Sequence, residues 1–190
     1  MCCRRATYLL VVCVIENSHG SSGPSEWIRE KLQAIVRPVK SAIDIASGAG
    51  RHSLLLSELY TSVTAVDRNP DLSNFFKSTS VEFLCLDLEQ EDWPLVGYTF
   101  DLVLVSNYLY RPNLRLIFDL VGPDGFLIYE TFGIGNELFG RPSNPNFLLR
   151  PNELRDSVGD QFLILDEFFG EITDPQPAVR GRLFARRVNS

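Results

Sequence analysis

Asp44, Asp67 and Asp87 each stand at or near the end of an apolar run, and the first run leads into "DIASGAGRHS", where Gly48 and Gly50 precede a leucine-rich segment. Glycines at such a turn let backbone come close to a ligand, and a helix starting there aims its free N–H groups at it. A carboxylate closing the second run, Asp67, can accept from both hydroxyls of a ribose. The chemistry implied is the binding of a nucleotide-bearing cofactor. Further along, Ser106, Asn107 and Tyr108 end a fourth apolar run, and Glu130 lies in "YETF" at the end of a fifth. An acid at that edge can position an acceptor or take its proton, and it can equally cap the next loop. Asp87 has a similar double reading, as a ligand to the cofactor or as a cap or solvated loop acid.

The elements that must hold these residues alternate. "SEWIREKLQAIV" carries apolar residues at helical spacing behind Ser25 as a possible N-cap. "SAIDIA" reads as a strand, "RHSLLLSELY" as a helix, "SVTAVD" as a second strand, and Asn69–Pro70 opens a short helix to about Phe76. "VEFLCLD", ending in Asp87, makes a third strand and the nearly all-apolar "FDLVLVSN" a fourth, as expected of a parallel strand covered on both faces. "PNLRLIFDLV" reads as a helix, "GPDG" as a turn and "FLIYETF" as a fifth strand. "PNELRDSVG" reads as a short helix, and "FLILDEFFGEI" and "GRLFARRV" as two closing strands joined as a hairpin. The fold expected is α/β: a Rossmann-like, doubly wound, mostly parallel seven-stranded sheet with an antiparallel C-terminal hairpin, whose ligand lies beyond the carboxyl ends of the strands.

Dinucleotide binders use G-x-G-x-x-G, and in "GAGRHS" Ser53 occupies the place of the third glycine. The stretch instead resembles motif I of the class I S-adenosylmethionine-dependent methyltransferases, an acid followed by G-x-G-x-G, with Ala46 where the first glycine commonly stands. The resemblance runs in order from Ser41 to about Phe132: "AVDRN" is similar to the ribose-binding acid and its neighbour, "CLDLEQ" to the adenine-binding acid, "FDLVLVSNYL" to motif IV, and "GPDGFLIYET" to the segment after it. "GNELFGRPSNPNFLLRP" looks like a segment of a bacterial subgroup loosely similar to tellurite-resistance methyltransferases. The resemblance implies S-adenosyl-L-methionine as cofactor. Asp44, Ala46, Ser47, Gly48 and Gly50 would form the turn around its methionine part. Asp67 would take the ribose, Arg68 would stack beside adenine, Asp87 would accept from the adenine amino group, and Leu88 would donate its N–H to a ring nitrogen. Ser106 and Asn107 would line the sulfonium end, with Tyr108 and Glu130 as catalytic candidates.

Methyl transfer is an in-line displacement whose chemistry the cofactor carries, so the donor half of such a site is legible in a sequence and the acceptor half is not. The loop 133–151 is rich in Gly, Pro and Asn but also in large apolar residues; Asn136, Glu137, Arg141, Asn144 and Phe147 are expected to form a lid, or else an ordinary surface loop. His52 reads as a packed or capping histidine, Cys85 as an inert core residue, and Trp93 as packing over either the adenine or the core.

The 190 residues, 45% apolar, suffice for one domain with a substantial core, expected over 24–190. With 18 basic against 24 acidic residues the net charge is −6, which argues against nucleic acid as a partner. The local excess in "RGRLFARR" reads as a solvated strand face. Four cysteines, three of them near the N-terminus, and two scattered histidines build neither a disulfide framework nor a metal site. The opening apolar run is too short to span a bilayer and lacks a convincing cleavage site, so residues 1–23 are expected to be a poorly ordered extension and the protein cytoplasmic. The N-P-P-Y tetrapeptide of amino-directed DNA methyltransferases is absent. The expected activity is methyl transfer to a small-molecule acceptor, without metal or membrane. An NAD(P)-dependent oxidoreductase and a non-catalytic nucleotide-binding module remain the alternatives, and oligomeric state is not legible.

Overall fold

The computed structural model describes residues 23–188; the N-terminal extension expected at 1–23 lies almost wholly outside them. A seven-stranded sheet runs in the order β3-β2-β1-β4-β5-β7-β6. Its strands are β1 (Ser41–Ile45), β2 (Ser62–Asp67), β3 (Val81–Cys85), β4 (Phe100–Ser106), β5 (Val121–Phe132), β6 (Phe162–Ile172) and β7 (Ala178–Arg187). The first five pair in parallel, and β7 enters antiparallel between β5 and β6. Strand order reverses between β1 and β4, which opens a crevice at the carboxyl ends of both.

Alternation along the strands builds two cores. Ile43, Ile45, Val103, Val105, Leu127 and Tyr129 face α3 (Leu114–Asp119) and α4 (Glu153–Val158). Ala42, Leu102, Leu104, Phe126 and Ile128 face α1 (Glu26–Ala34) and α2 (Arg51–Leu59). Covered on both faces, β4 is buried along nearly its whole length, as its unbroken apolar run requires. On the α1 side, Ser25 precedes the helix as expected, but its hydroxyl makes no cap; its backbone N–H donates to His52 Nε2 at 3.1 Å. His52 is thus a packed histidine, and burial pushes its pKa down to about 3.

Several local expectations need correction. The third strand stops at Cys85, so Asp87 lies in the loop beyond it. Cys85 is exposed, because β3 is the sheet's edge and only one of its neighbours covers it. "GPDG" does not precede β5 but interrupts it: Phe100 pairs with Val121 and Leu102 already with Phe126, and Asp124 takes a left-handed φ of 57° in the bulge. Trp93 packs on the core beneath α3 and α4. The arginines of "RGRLFARR" do not form a solvated face. Those of even number, Arg180, Arg182 and Arg186, project beside β5 on the α1 and α2 side, where they are half-buried.

Candidate active site

The turn between β1 and α2 is shaped by three left-handed residues, Ala46 (φ 53°), Gly48 (φ 56°) and Gly50 (φ 81°). A Cβ on Gly50 would come within 2.5 Å of the Phe76 ring, so glycine is required there by packing as well as by φ. A Cβ on Gly48 would meet nothing within 4 Å, which marks the open, ligand-facing side of the turn. Ala46 holds the same backbone region with a side chain, at a cost of about 1 kcal/mol. Asp67 closes β2 and ties the turn down: its Oδ2 accepts from Gly48 N–H at 2.9 Å and its Oδ1 from Asn69 N–H at 3.0 Å. A carboxylate has about four lone-pair positions, so both oxygens can still accept from hydroxyls.

Asp44 does not face the crevice. It is buried beneath α2, where Ser53 Oγ donates to its Oδ2 at 2.6 Å. Burial pushes its pKa up to about 7, against the opposing pull of that hydrogen bond. The serine in place of a third glycine therefore has a specific partner: it locks the first turn of α2 to β1.

A cavity of about 130 Å³ lies between these ends. Of the predicted residues, Ala46, Asp67, Arg68, Asp87, Leu88 and Tyr108 line it together, joined by Leu86 and Glu89, which the sequence did not single out. Asp87 Oδ1 accepts from Glu89 N–H at 2.9 Å, shaping the loop, and Arg68 approaches Glu89 at 3.7 Å across the cavity mouth. The buried Asn113 donates to the Leu88 carbonyl at 2.7 Å and fixes that loop from below. Two buried hydroxyls, those of Ser47 and Tyr108, have no hydrogen-bond partner among the described residues. Buried polar groups are nearly always satisfied, so these two fit a polar ligand held between the turn and β4. Tyr108 is kept in its neutral phenol form by burial, reinforced by the carboxylates of Glu89 and Asp87. It can donate or accept a hydrogen bond but is poorly suited to act as a base.

A second cavity, about 280 Å³, adjoins the first and shares Glu89 and Tyr108 with it. Asn107, Leu109, Thr131 and Phe132 form its walls, and Pro142 and Phe147 from the loop 133–151 complete it. Arg111 holds that part of the loop, donating to the carbonyls of Asn146 at 2.7 Å and Leu148 at 2.8 Å. Among the five residues expected in a lid, Phe147 reaches this cavity. Asn136 is buried and structural, with Oδ1 accepting from Val179 N–H and Nδ2 donating to the Pro142 carbonyl. Glu137 and Asn144 accept from nearby backbone N–H groups, and Arg141 lines a separate hollow.

Around Ser106 and Glu130 the site turns cationic. The pairing register sets Ser106, Glu130 and Arg182 in one row across β4, β5 and β7. Arg182 Nε donates to Glu130 Oε2 at 2.6 Å, with 17% of the arginine side chain and 3% of the glutamate exposed. Arg51, the first residue of α2, donates to Ser106 Oγ at 3.1 Å. Arg180 donates to Asn107 Oδ1 and lies 3.8 Å from the centre of the Phe132 ring. Glu130 is thus engaged by an arginine, an arrangement suited to holding a guanidinium in place. The sequence reading missed Arg51, Arg180 and Arg182. For the last two, the only signal was their alternation opposite a strand that ends in Glu130.

Residues 43–128 match the methyltransferase domain family. These residues carry a methyltransferase domain, and the fold is the one that S-adenosylmethionine-dependent methyltransferases share. Solved structures share the fold at low identity. An S-adenosylmethionine-dependent methyltransferase from Clostridium acetobutylicum is 13% identical, with TM-score 0.65 over 86% of this chain and 90% of that one. TehB from Haemophilus influenzae is 18% identical, with TM-score 0.65 over 84% of this chain and 62% of its own length. A protein studied for the conversion of a disulfide bond into a thioacetal group during echinomycin biosynthesis is 16% identical, with TM-score 0.64 over 86% and 81%. No curated protein matches this sequence. The methyltransferase's cofactor is S-adenosylmethionine, and the oxidoreductase alternative is not favoured. Among the described residues no cluster of potential metal ligands occurs, and no helix is long and apolar enough to cross a membrane.

Proposed function

We propose that this methyltransferase acts on a small-molecule acceptor in the cytoplasm, where its cofactor is made, and that residues 24–190 form its single catalytic domain. The observation carrying the acceptor class is the 280 Å³ cavity beside the end of β4, bordered by Pro142 and Phe147. A cavity of that size takes a small ligand. The negative net charge points the same way. The thioacetal-forming protein of echinomycin biosynthesis, with the same fold, is in keeping with a small acceptor.

In this reading Asp67 accepts from the ribose hydroxyls, Asp87 and the Leu88 N–H meet the adenine, and Arg68 covers it. The unpartnered hydroxyls of Ser47 and Tyr108 and the open side of Gly48 receive the methionine half, while Asp44 acts from beneath by holding Ser53. When bound, S-adenosylmethionine supplies an electrophilic methyl group on a sulfonium. The chain's own contribution is alignment and exclusion of water: Ser106 and Asn107 close the crevice at the end of β4, and the loop carrying Phe147 covers it. Tyr108 orients the reacting groups as a neutral hydroxyl, and Glu130 keeps Arg182 in position.

The test is transfer of a labelled methyl group from the cofactor to fractions of a cell extract. Label is expected in small molecules; label confined to protein or nucleic acid would overturn the reading.

A further inference from the structure

Resting on the small-molecule reading above, the arginines at the acceptor end go further. Arg51, Arg180 and Arg182 gather on the α1 and α2 side at the ends of β4, β5 and β7, where the buried acid is Glu130. Glu130 is ion-paired with Arg182 at 2.6 Å, and Arg182 also lies over the rings of Trp27 and Phe168, at 5.4 and 5.5 Å. Arg180 differs from both. Among the described residues it has no carboxylate within 4.0 Å, and the group it donates to is the neutral amide oxygen of Asn107. Its guanidinium is held flat against Phe132, and both Asn107 and Phe132 line the 280 Å³ cavity. Burial and the positive charges of Arg182 and Arg51 both act against its cationic form, and Glu130 supplies only part of the compensation. A half-buried guanidinium with no acid within 4.0 Å among the described residues, bonded to one wall residue of the cavity and stacked on another, is a receptor for an oxyanion.

The rest of the cavity is mostly apolar, with Leu109, Phe132, Pro142 and Phe147 on its walls. Its one acid, Glu89, lies on the side shared with the first cavity, near Arg68. From this we infer that the methyl acceptor is a small acid, with an apolar body of about ring size in the 280 Å³ cavity and a carboxylate or phosphate bound by Arg180. Transfer then forms a bond from an acceptor lone pair to the methyl carbon, while the electron pair of the carbon–sulfur bond returns to sulfur and leaves a neutral thioether. An acceptor atom that carries a proton releases it to water.

The test uses protein saturated with S-adenosylhomocysteine, so that the cofactor's own carboxylate is already placed. Benzoate, phenyl phosphate and neutral benzamide are titrated by calorimetry or NMR. Benzoate or phenyl phosphate is expected to bind about tenfold or more tightly than benzamide, the stronger of the two naming the head group. R180Q should lose about that factor and R180K only a few-fold. Benzamide binding as well as the anions, neither anion binding, or R180Q binding like the wild type would each overturn the inference. If R180Q does not fold, the selectivity of the wild type for anion over amide decides. Failure to bind S-adenosylhomocysteine in the first place would instead overturn the methyltransferase reading beneath it.

Discussion

The two halves of the crevice are electrostatic opposites. Around the adenosine end stand the acids Asp67, Asp87 and Glu89 on a backbone turn. Around the acceptor end stand Arg51, Arg180 and Arg182 about the buried Glu130. In the proposed reading the first half recognises hydroxyls and an amino group, which donate, and the second meets a group that accepts. On that reading the sign of the side chains sorts the two ligands between the two ends of the crevice before any shape is compared. The halves also differ in construction. An acid at the end of β2, acids in the loop after β3 and backbone N–H groups build the donor half, whereas pairing across β4, β5 and β7 builds the acceptor half.

The largest expected effect breaks the cationic half. R182M leaves Glu130, 3% exposed, without its guanidinium, and should cost about 3 kcal/mol in urea unfolding, since an uncompensated buried charge is worth roughly that much. The double variant R182M/E130Q should recover much of the loss. D67A strikes the acidic half and should leave the fold in place while weakening S-adenosylhomocysteine ~10- to 100-fold in calorimetry, the worth of charge-assisted hydrogen bonds. Equal weakening by R180Q would show the halves to be less separate than described.

Two buried titrating groups beneath the turn give a smaller, pH-dependent effect. Asp44 is raised from 3.8 to about 7, so the native state holds its proton longer than the unfolded chain, and stability is lost as pH rises through that window. His52 is lowered from 6.5 to about 3, so its contribution is present above 6.5 and lost as pH falls towards 3. The two slopes oppose, each at most ~1.4 kcal/mol per pH unit, and largely cancel between about pH 4 and 6.5. D44N, which keeps an acceptor for Ser53, should therefore expose a loss of stability on acidification, and H52Q a loss on raising the pH; chemical unfolding across pH 4 to 8 reads both. Parallel curves for wild type and both variants would contradict these assignments. The smallest change is A46G: relief of the left-handed φ of 53° and the entropy cost of glycine are each about 1 kcal/mol, so the melting temperature should shift by only a few degrees.

The same difference in construction decides what could be seen in advance. Asp44, Gly48, Gly50 and Asp67 lie within one strand–turn–helix–strand unit, and the period of apolar residues fixes which strand ends they occupy. Ser53 could be noticed as a missing glycine, but its bond to Asp44 needs the turn to be folded. Arg180 and Arg182 were legible only as charges alternating along a strand. What they face depends on β7 pairing antiparallel with β5 in the register Glu130 opposite Arg182, which no local pattern states. Cys85 was misplaced for a related reason, since an apolar run does not tell a central strand from an edge one.

The central claim, a donor half built on the glycine turn and Asp67, is tested most directly by titrating S-adenosylhomocysteine into the folded protein and into D67A. The account predicts saturable one-to-one binding by the wild type and ~10- to 100-fold weaker binding by the variant at unchanged fold. Absence of binding by the folded wild type at millimolar ligand, or equal affinity in D67A, would contradict it.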